Sequence, residues 1–267
     1  MSFHLATTPD GLTLGRFSHV AITHGIAGRT GGFSTGPYAS LNLGPRSGDG
    51  RETIVANRRR FHAAIGATGL TVIAPRQVHG AVVSVHRRGG EPLTGGVYDG
   101  DGLLTDDEDA LVAVLAADCA AILLHDPVQA VVGALHAGWR GTAAGIASAG
   151  IAMMRQNFGS NPADIRAGIG PAIGRCCYEV GIDVAEAVAR ATPGDAPPDE
   201  RVSDDKAHLD ITHANHMQLL AAGLDPANVA TTGICTACRT DLFYSHRREG
   251  EPTGRFGAAI SLRPPTG

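Results

Sequence analysis

Apolar residues along the chain fall into short runs separated by turn residues, and the longest runs lie near the middle. Residues 111–117 and 131–135 are almost continuously apolar, which is typical of strands buried on both faces. Residues 78–85 contain four valines, and residues 122–124 precede an Asp-Pro turn. The pattern predicts strands at 78–85, 111–117 and 131–135, with 122–124 as a hairpin partner.

Helical patterns lie on both sides of these strands. Asp49 and Glu52 have the spacing of a capping box and predict a helix over about 50–65. The alanine-rich residues 142–157, followed by Gly159, predict a second helix, and further helices are expected near 181–191 and 212–222. Residues 192–205 are predicted to form a loop. Because strands and helices mix without regular alternation, the fold class expected is α+β.

Composition places the chain among globular proteins. It has 267 residues, 43% of them apolar and 18% charged, and a formal net charge of −4. A chain of this length and composition can bury a large core. The charge balance gives no reason to expect nucleic acid or acidic lipid as a partner.

Lysine and cysteine usage exclude further classes. Lys206 is the only lysine, so a phosphate-binding P-loop, which needs a Gly-Lys-Ser/Thr step, is absent. Five cysteines and no basic-then-apolar leader argue against a disulfide framework and a secretory signal. No apolar run approaches the roughly 20 residues that span a bilayer. A cytoplasmic protein with reduced thiols and no membrane partner is expected.

Several motifs look informative but have a simpler interpretation. Ser34 lies in a G-x-S-x-G pattern without the following helix that a nucleophile elbow requires. Cys235 and Cys238 resemble half of a zinc site, but the adjacent Cys176 and Cys177 lack the usual ligand spacing, which favours buried or turn cysteines. The i, i+3 pair of histidines at 213 and 216 is interpreted as part of a solvated helix face.

Ligand-type side chains follow or end three of the apolar segments. If these strands are neighbours in one sheet, His79, Cys119 and His136 converge. Two imidazoles and one thiolate form a three-ligand zinc set that leaves a fourth position open, as in catalytic sites. The alternative is two satisfied core histidines and a small buried cysteine. The spacing alone leaves both interpretations open.

Two further segments have the composition of anion sites. Glycines flank Trp139 and Arg140 in residues 136–141, just before a predicted helix, where free amides favour an anion. Near the C-terminal end, Arg247, Arg248 and Arg255 follow Phe243 and Tyr244. The arginine fork matches phosphate, and an aromatic face can carry a base. A solvated turn would have a similar composition.

Taken together, these motifs resemble those of the laccase-domain proteins, once called polyphenol oxidases and now regarded as purine nucleoside phosphorylases. One departure is that Ala120-Ala121 replaces the x-Pro that usually follows the Asp-Cys step. The matching residues, in family order, are Gly31-Gly32, 40–44, 77–80, Asp101, Thr105, 117–119, 136–141, Gly170-Pro171, Ile173-Gly174, 177–180, Cys235, Arg247-Arg248 and Gly254-Arg255.

The resemblance implies a single α+β domain over residues 1–267, with mixed sheets in a sandwich-like core flanked by helices, usually monomeric. It implies that His79, Cys119 and His136 are catalytic and bind zinc. The implied activity is phosphorolysis of adenosine, inosine, guanosine and S-methyl-5'-thioadenosine, with adenosine deamination as a side activity. The partners would be purine nucleosides and phosphate.

For phosphate, Arg248 is the first candidate because it matches a family arginine, and Arg247, Arg255 and Asn42 are further candidates. One alternative is the family's older label, a copper-dependent polyphenol oxidoreductase. The absence of any His-x-His pair makes that chemistry less plausible. The other alternative is a redox- or metal-responsive binding module built on Cys119 and the pair Cys176-Cys177.

Overall fold

Two six-stranded sheets lie at the centre of the computed structural model, which describes residues 2–45, 47–91, 93, 98–194 and 198–265. The described strands are β1 (Phe3–Thr7), β2 (Thr13–Phe17), β3 (His24–Ala27), β4 (Thr71–Ile73), β5 (Val83–His86), β6 (Gly102–Thr105), β7 (Ala110–Ala116), β8 (Ala120–Asp126), β9 (Val131–Ala137), β10 (Arg166–Ile169), β11 (Glu179–Gly181), β12 (Asp199–Arg201), β13 (Lys206–Leu209), β14 (Val229–Thr231) and β15 (Phe256–Ile260).

The helices surround these sheets. They are α1 (Arg51–Ala64), α2 (Trp139–Ala143), α3 (Ile146–Phe158), α4 (Ile182–Arg190), α5 (Ile211–Ala221) and α6 (His246–Glu249), with 3₁₀ turns at Gly36–Tyr38, Pro162–Asp164 and Pro226–Asn228. In the described part of the chain, none of the helices has the length and apolar character needed to cross a membrane.

Both large sheets are mixed. The first has the order β1-β2-β3-β15-β7-β4 and the second β14-β10-β8-β9-β6-β5. Most neighbours are antiparallel, but β4 runs parallel to β7, β5 to β6, and β10 to β14. A small third sheet, β11-β13-β12, lies beside α4. Strands 8 and 9 form the hairpin predicted from the turn at Asp126-Pro127.

The continuous apolar runs are strands with both faces covered, as predicted. Leu123 of β8 and Val132 of β9 pack with Val112 of β7 between the two sheets. Ile122 of β8 and Leu135 of β9 point to the opposite face of the second sheet, into a second core with α3 and α5. Because successive strand residues face opposite sides, only a run that is apolar at every position satisfies both cores.

Helix α1 closes the outer face of the first sheet. Phe61 from this helix packs with Leu14 and Leu111, while Ile151 of α3 packs on the second sheet. The layers are therefore helix, sheet, sheet, helix, which confirms the predicted α+β sandwich-like core flanked by helices.

Local chemistry changes some predicted boundaries. The helix predicted over 142–157 is broken because Gly145 has a φ of 77°, so α2 ends before it and α3 begins after it. Asp49 does not cap α1; its carboxylate accepts hydrogen bonds from Ser34 and Asn42 instead. The predicted loop 192–205 contains β12, and its residues 195–197 lie outside the described residues.

The strand predicted at 78–85 begins only at Val83. Val78 and Val82 are 49% and 57% exposed. His79 has a φ of 63°, which a β-strand does not accommodate. Valine content alone was therefore a misleading signal for residues 78–82.

Candidate metal centre and surrounding cleft

Three side chains from separate segments meet where the two large sheets come together. His79 lies before β5, Cys119 in the turn between β7 and β8, and His136 in β9. Their ligand atoms all lie within 4.8 Å of one another. The convergence was predicted from strands neighbouring in one sheet, but β7 belongs to the first sheet and β8 and β9 to the second. The chain's crossing between sheets at residues 117–119 is what brings Cys119 to His136.

The buried carboxylate of Asp101 positions both histidines. It accepts hydrogen bonds from the backbone N–H groups of His79, at 3.0 Å, and Gly80, at 2.6 Å. Its Oδ1 also lies 2.8 Å from Nδ1 of His136. A carboxylate that accepts from Nδ1 leaves Nε2 of the ring available as a metal ligand.

The backbone around the site adopts a conformation that side chains rarely tolerate. His79 and Asp118 have φ values of 63° and 88°. For residues other than glycine this region carries a cost of roughly 1–3 kcal/mol, and such residues cluster at functional sites. The hydrogen bond that the Asp101 carboxylate accepts from His79 N–H stabilises the backbone at His79. The hydrogen bonds that the Asp118 carboxylate accepts stabilise the backbone at Asp118.

Asp118 ties the turn that carries Cys119 to the C-terminal part of the chain. Its Oδ1 accepts a 2.6 Å hydrogen bond from Thr236 Oγ1, and its Oδ2 accepts one of 2.7 Å from the backbone N–H of Arg247. Its carbonyl oxygen accepts from Ile173 N–H at 2.8 Å. The position of Cys119 therefore depends on contacts with the segments around residues 173, 236 and 247.

Gly138 gives the ligand side chains room. A Cβ at this position would lie 3.0 Å from Cys119 Sγ and 3.1 Å from His79 Cδ2. The glycine that sequence analysis associated with anion binding thus serves close packing. The helix that follows, α2, has five residues. A Cβ on Gly141 in this helix would lie 2.7 Å from the carbonyl oxygen of Gly80, so close packing requires glycine there too.

The three ligand side chains also perturb one another's ionisation. Burial disfavours the thiolate of Cys119, but the charge and hydrogen bonding of His136, with a contribution from His79, lower its pKa to about 6. Burial likewise opposes protonation of His136, but Cys119 and Asp101 raise its pKa to about 9. The site therefore favours a thiolate, the form in which cysteine binds metal.

A cleft of about 610 Å³ opens over the three side chains. This volume lies in the range of small-molecule sites. The cleft combines aromatic and cationic groups: its lining includes Trp139, Tyr178, Arg140, His246, Arg247 and Arg255. The guanidinium of Arg247 lies 5.1 Å from the centre of the Tyr178 ring and donates to the carbonyl oxygen of Glu179.

The predicted phosphate residues lie in different environments. Arg247 and Arg255 line the cleft, but Arg248 is not among its lining residues. Arg248 Nε donates to Ala237 O at 3.1 Å, and its Nη2 lies 3.9 Å from Cys177 Sγ. The choice of Arg248 as the phosphate residue stays a prediction, and in this structure its hydrogen bonds direct the guanidinium toward residues 177 and 237.

Asn42 is fully buried beneath the cleft rim rather than exposed in it. Its side chain donates to Ser47 and Asp49 and accepts from the backbone N–H groups of Gly44 and Arg255. Its hydrogen bonds therefore position Gly44, Ser47 and Arg255.

Sequence analysis missed the roles of two residues at this site. Asp101 and Tyr178 were noted only as parts of a family pattern, yet Asp101 orients two ligands and Tyr178 forms part of the wall. A signal was present for Asp101, since an acid directly before the apolar strand β6 needs a partner when buried. Tyr178 had no comparable signal because its placement depends on the turn at 174–177.

The remaining cysteines and the histidine pair on α5 lie on a neighbouring part of the surface. The sulfur atoms of four cysteines lie within 4.8 Å of one another, so the adjacent spacing of Cys176 and Cys177 does not keep them apart from Cys235 and Cys238. His213 and His216 line a second cavity of about 440 Å³. Among the described residues, neither histidine belongs to a group of three or more ligand-type side chains.

Fold and site together define a mixed α+β protein with a candidate His2Cys metal site at the junction of two sheets. The chain belongs to the family described as multi-copper polyphenol oxidoreductase laccase, whose model matches residues 23–263.

Relatives support this membership along most of the chain. It is 39% identical over 245 residues to "Purine nucleoside phosphorylase YlmD" of Geobacillus stearothermophilus, covering 90% of this chain and 89% of that protein. It is 39% identical over 256 residues to "Purine nucleoside phosphorylase" of Deinococcus radiodurans, covering 96% and 95%. The crystal structure of YlmD from Geobacillus stearothermophilus superposes with a TM-score of 0.89 at 36% identity, covering 97% of this chain and 98% of that one.

Proposed function

We propose that this protein is a zinc-dependent purine nucleoside phosphorylase with adenosine deaminase side activity. The proposed substrates are adenosine, inosine, guanosine and S-methyl-5'-thioadenosine, each with phosphate. The observation that carries the proposal is the His79, Cys119 and His136 cluster at the base of a cleft with a cationic wall. The names of its relatives favour the same activity. We further infer that the protein is a monomer. We also infer that it is cytoplasmic, because a reducing compartment keeps the thiols that the site requires free.

The donor set fits zinc. Two imidazoles and one thiolate are common ligands of Zn²⁺, and three protein ligands leave one position open for substrate or water. The hydrogen bond from His136 Nδ1 to Asp101 is typical of zinc-binding histidines. When bound, Zn²⁺ supplies a Lewis acid at the base of the cleft.

Phosphorolysis needs a phosphate dianion beside the anomeric carbon of the nucleoside. The phosphate oxygen bonds to C1' as the bond from C1' to the purine nitrogen breaks, which gives ribose 1-phosphate and the free base. Arg140, Arg247 and Arg255 all line the cleft and supply positive charge for the dianion. A single lysine, exposed on β13, leaves this role to arginines.

The aromatic wall fits the remainder of a nucleoside. Trp139 and Tyr178 both line the cleft, and aromatic faces bind flat heterocycles by stacking and apolar contact. Arg140 lies 4.4 Å from the centre of the Trp139 ring, and Arg247 stands over Tyr178. Each aromatic ring is thus paired with a cation, so the cleft offers adjacent sites for a base and an anion.

The family description favours a second candidate, a copper-dependent polyphenol oxidoreductase. A multicopper oxidase needs a copper site for electron entry and further histidine-rich copper ligands. In the described ranges, the groups of three or more ligand-type side chains are the His2Cys cluster and the four-cysteine cluster. The described histidines therefore do not form the further copper sites that a multicopper oxidase needs, and this favours the phosphorylase.

Product analysis separates these functions. The purified protein is incubated with inosine, with and without phosphate, and nucleoside, base and sugar products are quantified. We expect hypoxanthine and ribose 1-phosphate only when phosphate is present, and neither with Cys119→Ala. Free ribose formed equally without phosphate would indicate a hydrolase. Copper-dependent phenol oxidation without nucleoside cleavage would favour the second candidate.

A further inference from the structure

Four cysteines from two distant parts of the chain form a second cluster, which we call the cysteine cluster. Cys176 and Cys177 lie in the turn after β10, and Cys235 and Cys238 lie in the turn after β14. All four sulfur atoms lie within 4.8 Å of one another. The Sγ atom of Cys238 is 3.6 Å from that of Cys176 and 3.4 Å from that of Cys177.

These separations match shared coordination of one metal ion. In a tetrahedral zinc site with Zn–S bonds of about 2.3 Å, the sulfur atoms are about 3.8 Å apart. A disulfide joins sulfurs in pairs at about 2.0 Å. Cys238 is nearly equidistant from two other cysteines, which is the arrangement of a four-sulfur cage.

The backbone around the cluster is shaped to bring the sulfurs together. The N–H group of Gly174 donates to Cys235 Sγ at 3.2 Å. A Cβ on Gly174 would lie 3.1 Å from Cys235 Cβ and 3.4 Å from Cys176 Sγ. A bridge between Ala172 and Cys235 joins the two turns. The amide donor and the close glycine fix the orientation of the sulfurs, as hydrogen bonds from the surroundings do for metal ligands.

Charge near the cluster is also consistent with a tetrathiolate site. Four thiolates and one Zn²⁺ carry a net charge of −2. The guanidinium of Arg248 is held by Ala237 O and lies 3.9 Å from Cys177 Sγ. Arg248 therefore lies beside the cysteines and is not among the residues that line the cleft. A cation at this position offsets part of the negative charge of the thiolates.

We propose that Cys176, Cys177, Cys235 and Cys238 bind one Zn²⁺ ion in a closed structural site, separate from the His2Cys cluster. Four cysteine ligands fill the tetrahedron and leave no position for substrate, so the role is structural. The ion would link the segment of Ile173, which donates to the Asp118 carbonyl, to that of Thr236, which donates to the Asp118 carboxylate. It would thereby stabilise the turn that carries Cys119.

Metal analysis of matched variants tests the proposal. Cys119→Ala removes the thiolate of the His2Cys cluster and leaves the cysteine cluster intact. After purification under reducing conditions, we expect Cys119→Ala to retain one zinc ion per chain and Cys119→Ala with Cys238→Ser to retain none. A Cys119→Ala protein that neither contains zinc nor takes it up when reduced would overturn the proposal. Zinc retained by Cys119→Ala supports the cysteine cluster even if the protein has no phosphorylase activity, so the two proposals fail separately.

A cobalt titration gives an answer that does not depend on substituting a cysteine of the cluster. Cys119→Ala stripped of metal and kept reduced is titrated with Co²⁺. We expect an intense near-ultraviolet thiolate charge-transfer band that saturates at one equivalent, together with the visible bands of tetrahedral cobalt. The four thiols should become inaccessible to a thiol reagent at the same point. A cobalt spectrum without thiolate bands, or an intact mass that shows the cysteines joined as disulfides in freshly purified protein, would contradict the site.

Discussion

Asp101 and His136 form a buried pair in which the carboxylate oxygen Oδ1 lies 2.8 Å from the ring nitrogen Nδ1. The backbone N–H of His136 also donates to the carbonyl oxygen of Asp101, at 2.7 Å. His136 is therefore held through both its backbone and its ring, and Nε2 is the ring nitrogen left to act as a ligand. Because the same carboxylate holds the backbone of His79, Asp101 organises two of the three proposed ligands.

Asp101→Asn tests this positioning role. An amide can still accept hydrogen bonds, but it carries no charge and its NH₂ group opposes the N–H donors around it. We expect zinc affinity to fall by about 10–100-fold, the usual effect of losing such a partner. Competition with a chromophoric chelator measures the affinity. Asp106→Asn, which alters a surface ion pair with Arg87, is the control and should bind zinc as the wild type does.

Gly138→Ala tests the close packing at the cluster. The added methyl group would lie 3.0 Å from Cys119 Sγ, so the sulfur or the helix α2 must move. We expect a folded protein with weakened zinc binding and phosphorolysis reduced at least tenfold, about 1.4 kcal/mol. Gly50→Ala, whose added Cβ comes no closer than 3.4 Å to another atom, is the matched control. Normal activity of Gly138→Ala would show that the glycine is not needed for ligand geometry.

Arg247→Ala tests the phosphate site. A charge-assisted contact that strengthens as the glycosidic bond breaks is worth about 3 kcal/mol, or roughly two orders of magnitude in rate. We expect phosphorolysis of adenosine to fall by that amount. Deamination of adenosine, which consumes water and releases ammonia, should fall much less. Steady-state assays of both products on the same variant measure the difference.

The comparison with two other arginines sharpens this test. Arg190→Ala, on the exposed end of α4, should leave both rates unchanged. Arg248→Ala should affect phosphorolysis less than Arg247→Ala does, because Arg248 is outside the cleft lining. The reverse order would favour Arg248, the first candidate from the sequence, as the phosphate residue.

Leu123→Ala tests the core between the sheets. Leu123 is fully buried on β8 and packs toward the first sheet. We expect the free energy of unfolding to fall by about 2–5 kcal/mol through lost burial and the cavity left behind. Denaturant unfolding measures it. Val128→Ala, at a position 64% exposed, should change stability little, and an equally small effect at Leu123 would contradict the two-sheet core.

Sequence patterns predicted the central strands because a strand with both faces buried, such as β7, needs an apolar residue at nearly every position. They also singled out Cys119 and His136, which lie at the ends of such runs, whereas His79 was singled out from a predicted strand that begins only at Val83. Patterns did not show that β7 and β8 belong to different sheets, because a sharp turn with positive φ at Asp118 carries no distinct signal.

The cysteine cluster and the direction of Arg248 were beyond local analysis for a related reason. Cys176 and Cys238 meet only through the tertiary contact between the turns after β10 and β14, at a large sequence separation. Arg247 and Arg248 are adjacent and identical in the sequence, so no local pattern shows which one faces the cleft. The hydrogen bond from Arg248 to the carbonyl oxygen of Ala237 shows where its side chain is directed. Such choices depend on the assembled fold.

The most direct test of the central claim is phosphate-dependent cleavage of inosine by protein of known zinc content. Wild-type protein with zinc at the His2Cys cluster should form ribose 1-phosphate and hypoxanthine in equal amounts, and at a rate that rises with phosphate concentration. Cys119→Ala, shown to be folded, should form neither. Phosphate-dependent cleavage at the wild-type rate by Cys119→Ala, or no cleavage by the zinc-loaded wild type, would contradict the proposed function.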